Sequence, residues 1–359
     1  MHNAKRAVRK SPMRRKSRMF DVGSGEKDEE MTDPVAMAEL WRGGQLESTH
    51  LGHAVICGAD GSVEAAWGDP AAVIFPRSSC KMVQALPLLE SGAGRDLTVK
   101  QRGLVCASHN GSALHTGAVA TMLADLGLGE ADLRCGPQEP GDRPERDRLI
   151  KTDTSPCQLH NNCSGKHAGF LMLNKHMGGH ADYIEADHPV QVAVKAAFEE
   201  VTGETSAGYG IDGCSAPNYL TSVHGLARAM AFFATAQEGA DARQDAACKL
   251  SRGMMVHPEM VAGEGKACTE LMRAMGGRVA VKTGAEAVFI AIIPDLKKGI
   301  ALKVTDGGTR GAELAICALL VKLGVLEADH PATRKYLNTV ERSRRGFETG
   351  TLRVAPDFA

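Results

Sequence analysis

The sequence predicts an α+β fold, with one antiparallel sheet drawn from both chain ends and a helical lobe between them. Three observations carry the prediction. Paired strand patterns stand near both ends of the chain, and helical periodicities fill the middle. The two kinds of element are segregated, which argues against a parallel βαβ sheet. A chain of 359 residues with 43% hydrophobic and 24% charged residues is long enough and apolar enough to bury a large core. Forty Gly and only 4% aromatic residues predict tight turns around an aliphatic interior.

The elements follow in order. Residues 53–57 and 63–67 flank the turn Ala59-Asp60-Gly61-Ser62, a hairpin pattern. A helix opens at or just after Ser78 and is kinked at Pro87. Residues 103–106 read as a strand. Residues 136–144, with Pro137, Pro140 and Pro144 among charges, read as an exposed connection. Helical apolar spacing recurs over 116–126, 190–201, 220–236 and 241–255, with a shorter helix over 168–173. Residues 278–281 lead as a strand into a late hairpin of 287–293 and 300–304, and a last helix covers 311–323.

Charge and cysteine usage exclude several function classes. Lys plus Arg total 42 and Asp plus Glu total 43, so bulk charge does not hold nucleic acid. Ten Cys are too sparse for a disulfide scaffold, and no apolar run is long enough to span a membrane. The expected compartment is the reducing cytoplasm. Residues 1–18 hold eight bases and no acid, and acids follow before Met31. Residues 1–30 therefore read as a disordered extension to a single two-lobed domain over 31–359. That segment is open to three readings: a nucleic-acid arm, a transit peptide, or an upstream extension with Met31 as the start.

Three short motifs carry acyl-transfer chemistry. In Ser78-Ser79-Cys80-Lys81, positions i and i+3 share a helix face, so a neutral Lys81 can reach the Ser78 proton. Ser108-His109-Asn110 offers a relay hydroxyl and an amide that can hold a carbonyl. Lys282-Thr283-Gly284 supplies a charge, a hydroxyl for a carboxylate and room for substrate beside the backbone. Each alone also suits a capped helix, a turn or a strand end. Together and in this order they are the signature of penicillin-recognising serine acyl enzymes. Ser78, Lys81, Ser108 and Lys282 are the candidate catalytic residues. Arg77, Asn110, Asp212, Thr283 and Gly284 are the candidate substrate-binding ones.

Cys163, within Asn162-Cys163-Ser164-Gly165-Lys166-His167, and Cys214, within Asp212-Gly213-Cys214, could hold Zn²⁺ with a nitrogen from Lys166 or His167. Equally, they could be two buried free thiols.

The set resembles the rhizobial-type (class 3) L-asparaginases. The matching stretches are Glu47-Ser48-Thr49-His50, Arg77-Ser78-Ser79-Cys80-Lys81, Cys106-Ala107-Ser108-His109, Asn162-Cys163-Ser164-Gly165-Lys166-His167, Asp212-Gly213-Cys214, His257-Pro258-Glu259-Met260-Val261-Ala262-Gly263-Glu264-Gly265 and Lys282-Thr283-Gly284-Ala285. The resemblance implies a fold similar to serine β-lactamases and glutaminases, and hydrolysis of L-asparagine through a serine acyl-enzyme. Ser78 matches the nucleophile, Lys81 its paired lysine, Ser108 the second serine and Lys282 the second lysine. Cys163, Lys166 and Cys214 match zinc ligands, and a homodimer is implied. On this reading Lys282 holds Lys81 neutral, and zinc forms a far wall of the substrate site. Rival readings are a penicillin-interacting hydrolase or esterase and a non-catalytic zinc-binding protein on the same fold.

Overall fold

The computed structural model describes residues 33–359. The expected disordered extension over 1–30 lies outside the described residues. In spatial order the main sheet runs Thr339–Arg342, Glu348–Val354, Val35–Arg42, Gln45–Cys57, Lys298–Val304, Val288–Ile293 and Ala280–Gly284, and Val63–Trp67 also pairs with Gln45–Cys57. Every pairing is antiparallel. The early and late hairpins meet where Ile56 pairs with Ile300, so both chain ends do share one sheet. All six residues of Val288–Ile293 are buried, which requires cover on both faces. Helices Val223–Thr235 and Thr309–Lys322 supply it, both packing on the central strands.

Three local readings differ from the sequence expectation. Residues 103–106 are not a strand but run from the end of helix Val99–Val105 into its C-cap, Cys106. The signal was the capping box formed by Thr98 and Gln101, which satisfies two amides at the helix start. Ser78 lies in a 3₁₀ turn, Arg77–Cys80, followed by two short helices, Lys81–Gln84 and Leu86–Glu90. Pro87 sits in the first turn of the second helix, where its missing N–H goes unneeded. Strands Val35–Arg42, Thr339–Arg342 and Glu348–Val354 widen the sheet beyond the predicted hairpins. They alternate weakly and exist through mutual pairing rather than local pattern.

The helical lobe is built on close backbone approach. A Cβ added to Gly103 would lie 2.8 Å from the Gly253 carbonyl oxygen, and one on Gly253 would lie 2.7 Å from the Gly103 nitrogen. Helices Val99–Val105 and Ala242–Val256 therefore cross in contact. This fixes the segment that follows, Cys106-Ala107-Ser108, against the end of the sheet.

Candidate active site

Ala280–Gly284 is an edge strand, and the 3₁₀ turn bearing Ser78 packs on it. A side chain at Gly284 would lie 2.6 Å from the Pro76 carbonyl oxygen, so only glycine lets the turn approach. Arg77 takes φ 53°, a left-handed conformation costing roughly 1–3 kcal/mol for a non-glycine residue, and it sets the direction of the turn. Ser79 Oγ donates back to Pro76 O at 2.7 Å, and Cys80 Sγ to Arg77 O at 3.2 Å. Burial pushes the Cys80 thiol up to about 12, which makes it a poor nucleophile.

Behind this turn two buried lysines converge on one hydroxyl. Lys81 Nζ donates to Ala107 O at 2.5 Å, Ser108 Oγ at 3.0 Å and Cys163 Sγ at 3.1 Å. Its three protons thus have three acceptors. Lys282 Nζ donates to Ser108 Oγ at 2.8 Å and Thr283 O at 2.7 Å. Burial first, and then the like charge of Lys81, pull Lys282 down to about 8. Lys282 has no carboxylate partner to support its charge, which leaves it open to that shift. Ser108 is itself held by its N–H on Val261 O at 2.8 Å. Ser78 Oγ and Lys81 Nζ share no hydrogen bond.

Ser78 and Ser108 open onto one cavity of about 380 Å³. Asn110, Thr283 and Gly284 line it, as the sequence motifs imply. Arg77 and Asp212 do not. They pair with each other, Arg77 Nε and Nη2 reaching Asp212 Oδ1 at 3.1 and 2.8 Å, so the brace they form stands outside the cavity wall. The sequence reading missed Gln138, Asn162, Lys266, Cys268 and Glu313, which also line it. Gln138 and Gly141 come from the 136–144 connection, which is therefore part of the site rather than a plain surface loop. Gln138 Oε1 accepts from Asn162 N–H at 3.0 Å and Gly136 O accepts from Asn161 Nδ2 at 3.0 Å, which ties the two loops together. His109 is buried and kept neutral, chiefly by burial, with Nε2 on Ser164 Oγ at 2.9 Å and Nδ1 accepting from Gly111 N–H. Clefts of about 430 Å³ elsewhere contain none of the motif residues.

The cysteines form a second buried cluster. Lys166 Nζ donates to Cys214 Sγ at 3.1 Å. Cys163 and Lys166 beside it draw the Cys214 thiol down, and Cys214 together with burial pushes Cys163 up. Burial alone would lower Lys166, but the two sulfurs outweigh it and the net shift is upward. His167 is drawn down to about 4 by burial, and its Nε2 is buried without a hydrogen-bond partner. Among the described residues no three His, Cys, Asp or Glu side chains gather closely enough for a metal. A zinc ion here would need Lys166 as its third ligand, and two thiols, one of them in contact with that amine, fit that demand in chemistry. Cys163 Sγ accepts from Lys81 and donates at 2.9 Å to Oδ1 of Asn162, a residue of the cavity wall, so the cluster stands directly behind the cavity.

No helix among the described residues is long and apolar enough to cross a membrane. Comparison with curated proteins found no match. Solved structures similar to this chain include Mglu, at 13% identity and TM-score 0.41, where 81% of this chain aligns with 66% of that one. They also include a β-lactamase from Mycobacterium bovis, at 13% identity and TM-score 0.33, where 77% of this chain aligns with 95% of that one. This chain thus spans just under two thirds of Mglu. The model of the L-asparaginase II family matches residues 38–354, and the chain belongs to that family of asparaginase-type amidohydrolases.

Proposed function

We propose that the protein hydrolyses L-asparagine to L-aspartate and ammonia through an acyl-enzyme on Ser78. The observation that carries the reading is the contact of Ser108 Oγ with two fully buried lysines, one of them neutral in part near neutral pH, on a cavity shared with Ser78.

With Lys282 neutral, the Ser108 hydroxyl donates to its lone pair and accepts the Ser78 proton in turn. Ser78 Oγ then forms a bond to the side-chain amide carbon. The oxyanion falls to the N–H groups of Ser78 and of Ala285, the residue after the edge strand's Gly284. The proton returns through Ser108 to the leaving nitrogen, the C–N bond breaks and ammonia departs. Water, deprotonated by the same relay, opens the β-aspartyl ester and restores Ser78. Lys81 stays fixed on its three acceptors, and burial, followed by the like charge of Lys81, keeps Lys282 easy to deprotonate. Cys163, Lys166 and Cys214 would hold zinc; bound there, zinc supplies a fixed positive charge behind Lys81.

The test is ammonia release from L-asparagine and L-glutamine, with nitrocefin as the penicillin-type control, and mass spectrometry of quenched enzyme. The expected result is ammonia from L-asparagine, no nitrocefin cleavage and an adduct of one aspartyl group on the peptide carrying Ser78. An adduct on Ser108 instead, or ammonia release undiminished in Ser78→Ala, overturns the assignment.

A further inference from the structure

The cavity wall carries two fixed charges that the mechanism leaves unused. Lys266, exposed at the cap of helix Ala267–Ala274, and Glu313, half-buried on helix Thr309–Lys322, both line it. Neither takes part in an ion pair or side-chain hydrogen bond among the described residues. Lys266 is itself one of the two cations near Glu313, without an ion pair between them, and the other charges around them are already committed. Glu264, two residues from Lys266, is held by Arg273 at 2.6 and 2.7 Å. Lys335, one of two cations near Glu313, is held by Glu270 at 2.7 and 2.8 Å. Burial raises the Glu313 carboxyl, and no hydrogen bond offsets it. A carboxylate facing a cavity with cations nearby but no hydrogen-bonded partner is still costly, and a ligand cation seated on it would complete it.

We infer that Lys266 and Glu313 form a clamp for a zwitterion, Lys266 binding the α-carboxylate and Glu313 the α-ammonium of a free amino acid. The inference rests on the amidohydrolase reading and names its substrate class. The preferred substrates are free α-amino acids with a side-chain amide. Asparagine inside a peptide, whose α-amino and α-carboxyl groups are uncharged amides, is rejected. Placing opposite charges on opposite groups also fixes which end of the molecule faces Ser78. With both α groups held, the side-chain amide is the part left to reach the serines.

Three substrates separate the two contacts. Succinamate is L-asparagine without the ammonium, and β-alaninamide is L-asparagine without the carboxylate. Glu313→Gln is expected to raise KM for L-asparagine about 10–100-fold, the worth of one charge-assisted hydrogen bond, while changing KM for succinamate less than about twofold. Lys266→Met is expected to raise KM for L-asparagine and succinamate by similar factors but not for β-alaninamide. In both variants kcat is expected to fall much less than KM rises. Calorimetric titration of Ser78→Ala with L-asparagine and succinamate checks the same contrast without turnover. Equal losses on L-asparagine and succinamate in Glu313→Gln, or no loss on either, overturn the clamp while wild-type turnover of L-asparagine leaves the activity standing. A wild-type enzyme that releases no ammonia from L-asparagine overturns both.

Discussion

Two lysines buried to the same degree behave in opposite ways. Lys282 is fully buried beside Ser108 and is drawn down to about 8. Lys166 is 3% exposed beside Cys214 and is shifted upward. Burial pushes both the same way, so the neighbours decide. Lys282 faces a hydroxyl, a carbonyl and the like charge of Lys81, whereas Lys166 faces two sulfurs whose attraction outweighs burial. The first arrangement makes a base, and the second makes a paired charge or a metal ligand. Lys81 joins them, with one proton on Ser108 and another on Cys163.

The largest expected effect lies on the serine side of that divide. Ser78→Ala should lower ammonia release by about 10⁴-fold or more, as loss of a nucleophile does, with the fold unchanged by circular dichroism. Lys282→Met should lower kcat by about 10²–10⁴-fold, the range for a lost general base. Its stability should hold or rise in a urea titration, because the substitution removes an unpaired buried charge. Lys166→Met sharpens the contrast. It removes the buried cation that Cys214 Sγ accepts from and should cost about 3–5 kcal/mol in the same titration. A comparable stability loss in both variants would erase the distinction.

Metal content tests the thiol side independently of turnover. Elemental analysis of chelator-free protein should find about one Zn²⁺ per chain, and Cys163→Ser and Cys214→Ser should each lose it. Because Cys163 Sγ lies on Lys81, stripping should lower kcat as well as weaken binding. An effect on KM alone would favour the far-wall role. The smallest effect belongs to Cys80→Ala. Its thiol is buried, protonated and turned to Arg77 O, so ammonia release should stay within about twofold of wild type.

The legible parts of the molecule were those with local chemistry. The central hairpins showed in β-branched runs around Asp60-Gly61 and Pro294-Asp295, and the three acyl-transfer motifs showed in their spacing. What stayed hidden was set by long-range contact. Lys266 and Glu313 reach one cavity from helices 47 positions apart in number, with no local pattern to announce either. Arg77 and Asp212, which flank Ser78 and Cys214, pair with one another across 135 positions, a contact that no local pattern announces. Residues 103–106 were misread because four apolar or small residues fit a strand as well as a helix end, and the Thr98 capping box five residues earlier decided it.

The central claim is that a neutral Lys282 is the base of the serine site. The direct test is the pH dependence of kcat/KM for L-asparagine between pH 6.5 and 10, a range set around the value of about 8. The folded lysine is depressed below its ordinary value, so the active neutral form grows as pH rises. The account predicts a rate that climbs about tenfold per pH unit at the acid end and levels off above about pH 8. A rate that is flat across this range, or that falls as pH rises through 8, would contradict it.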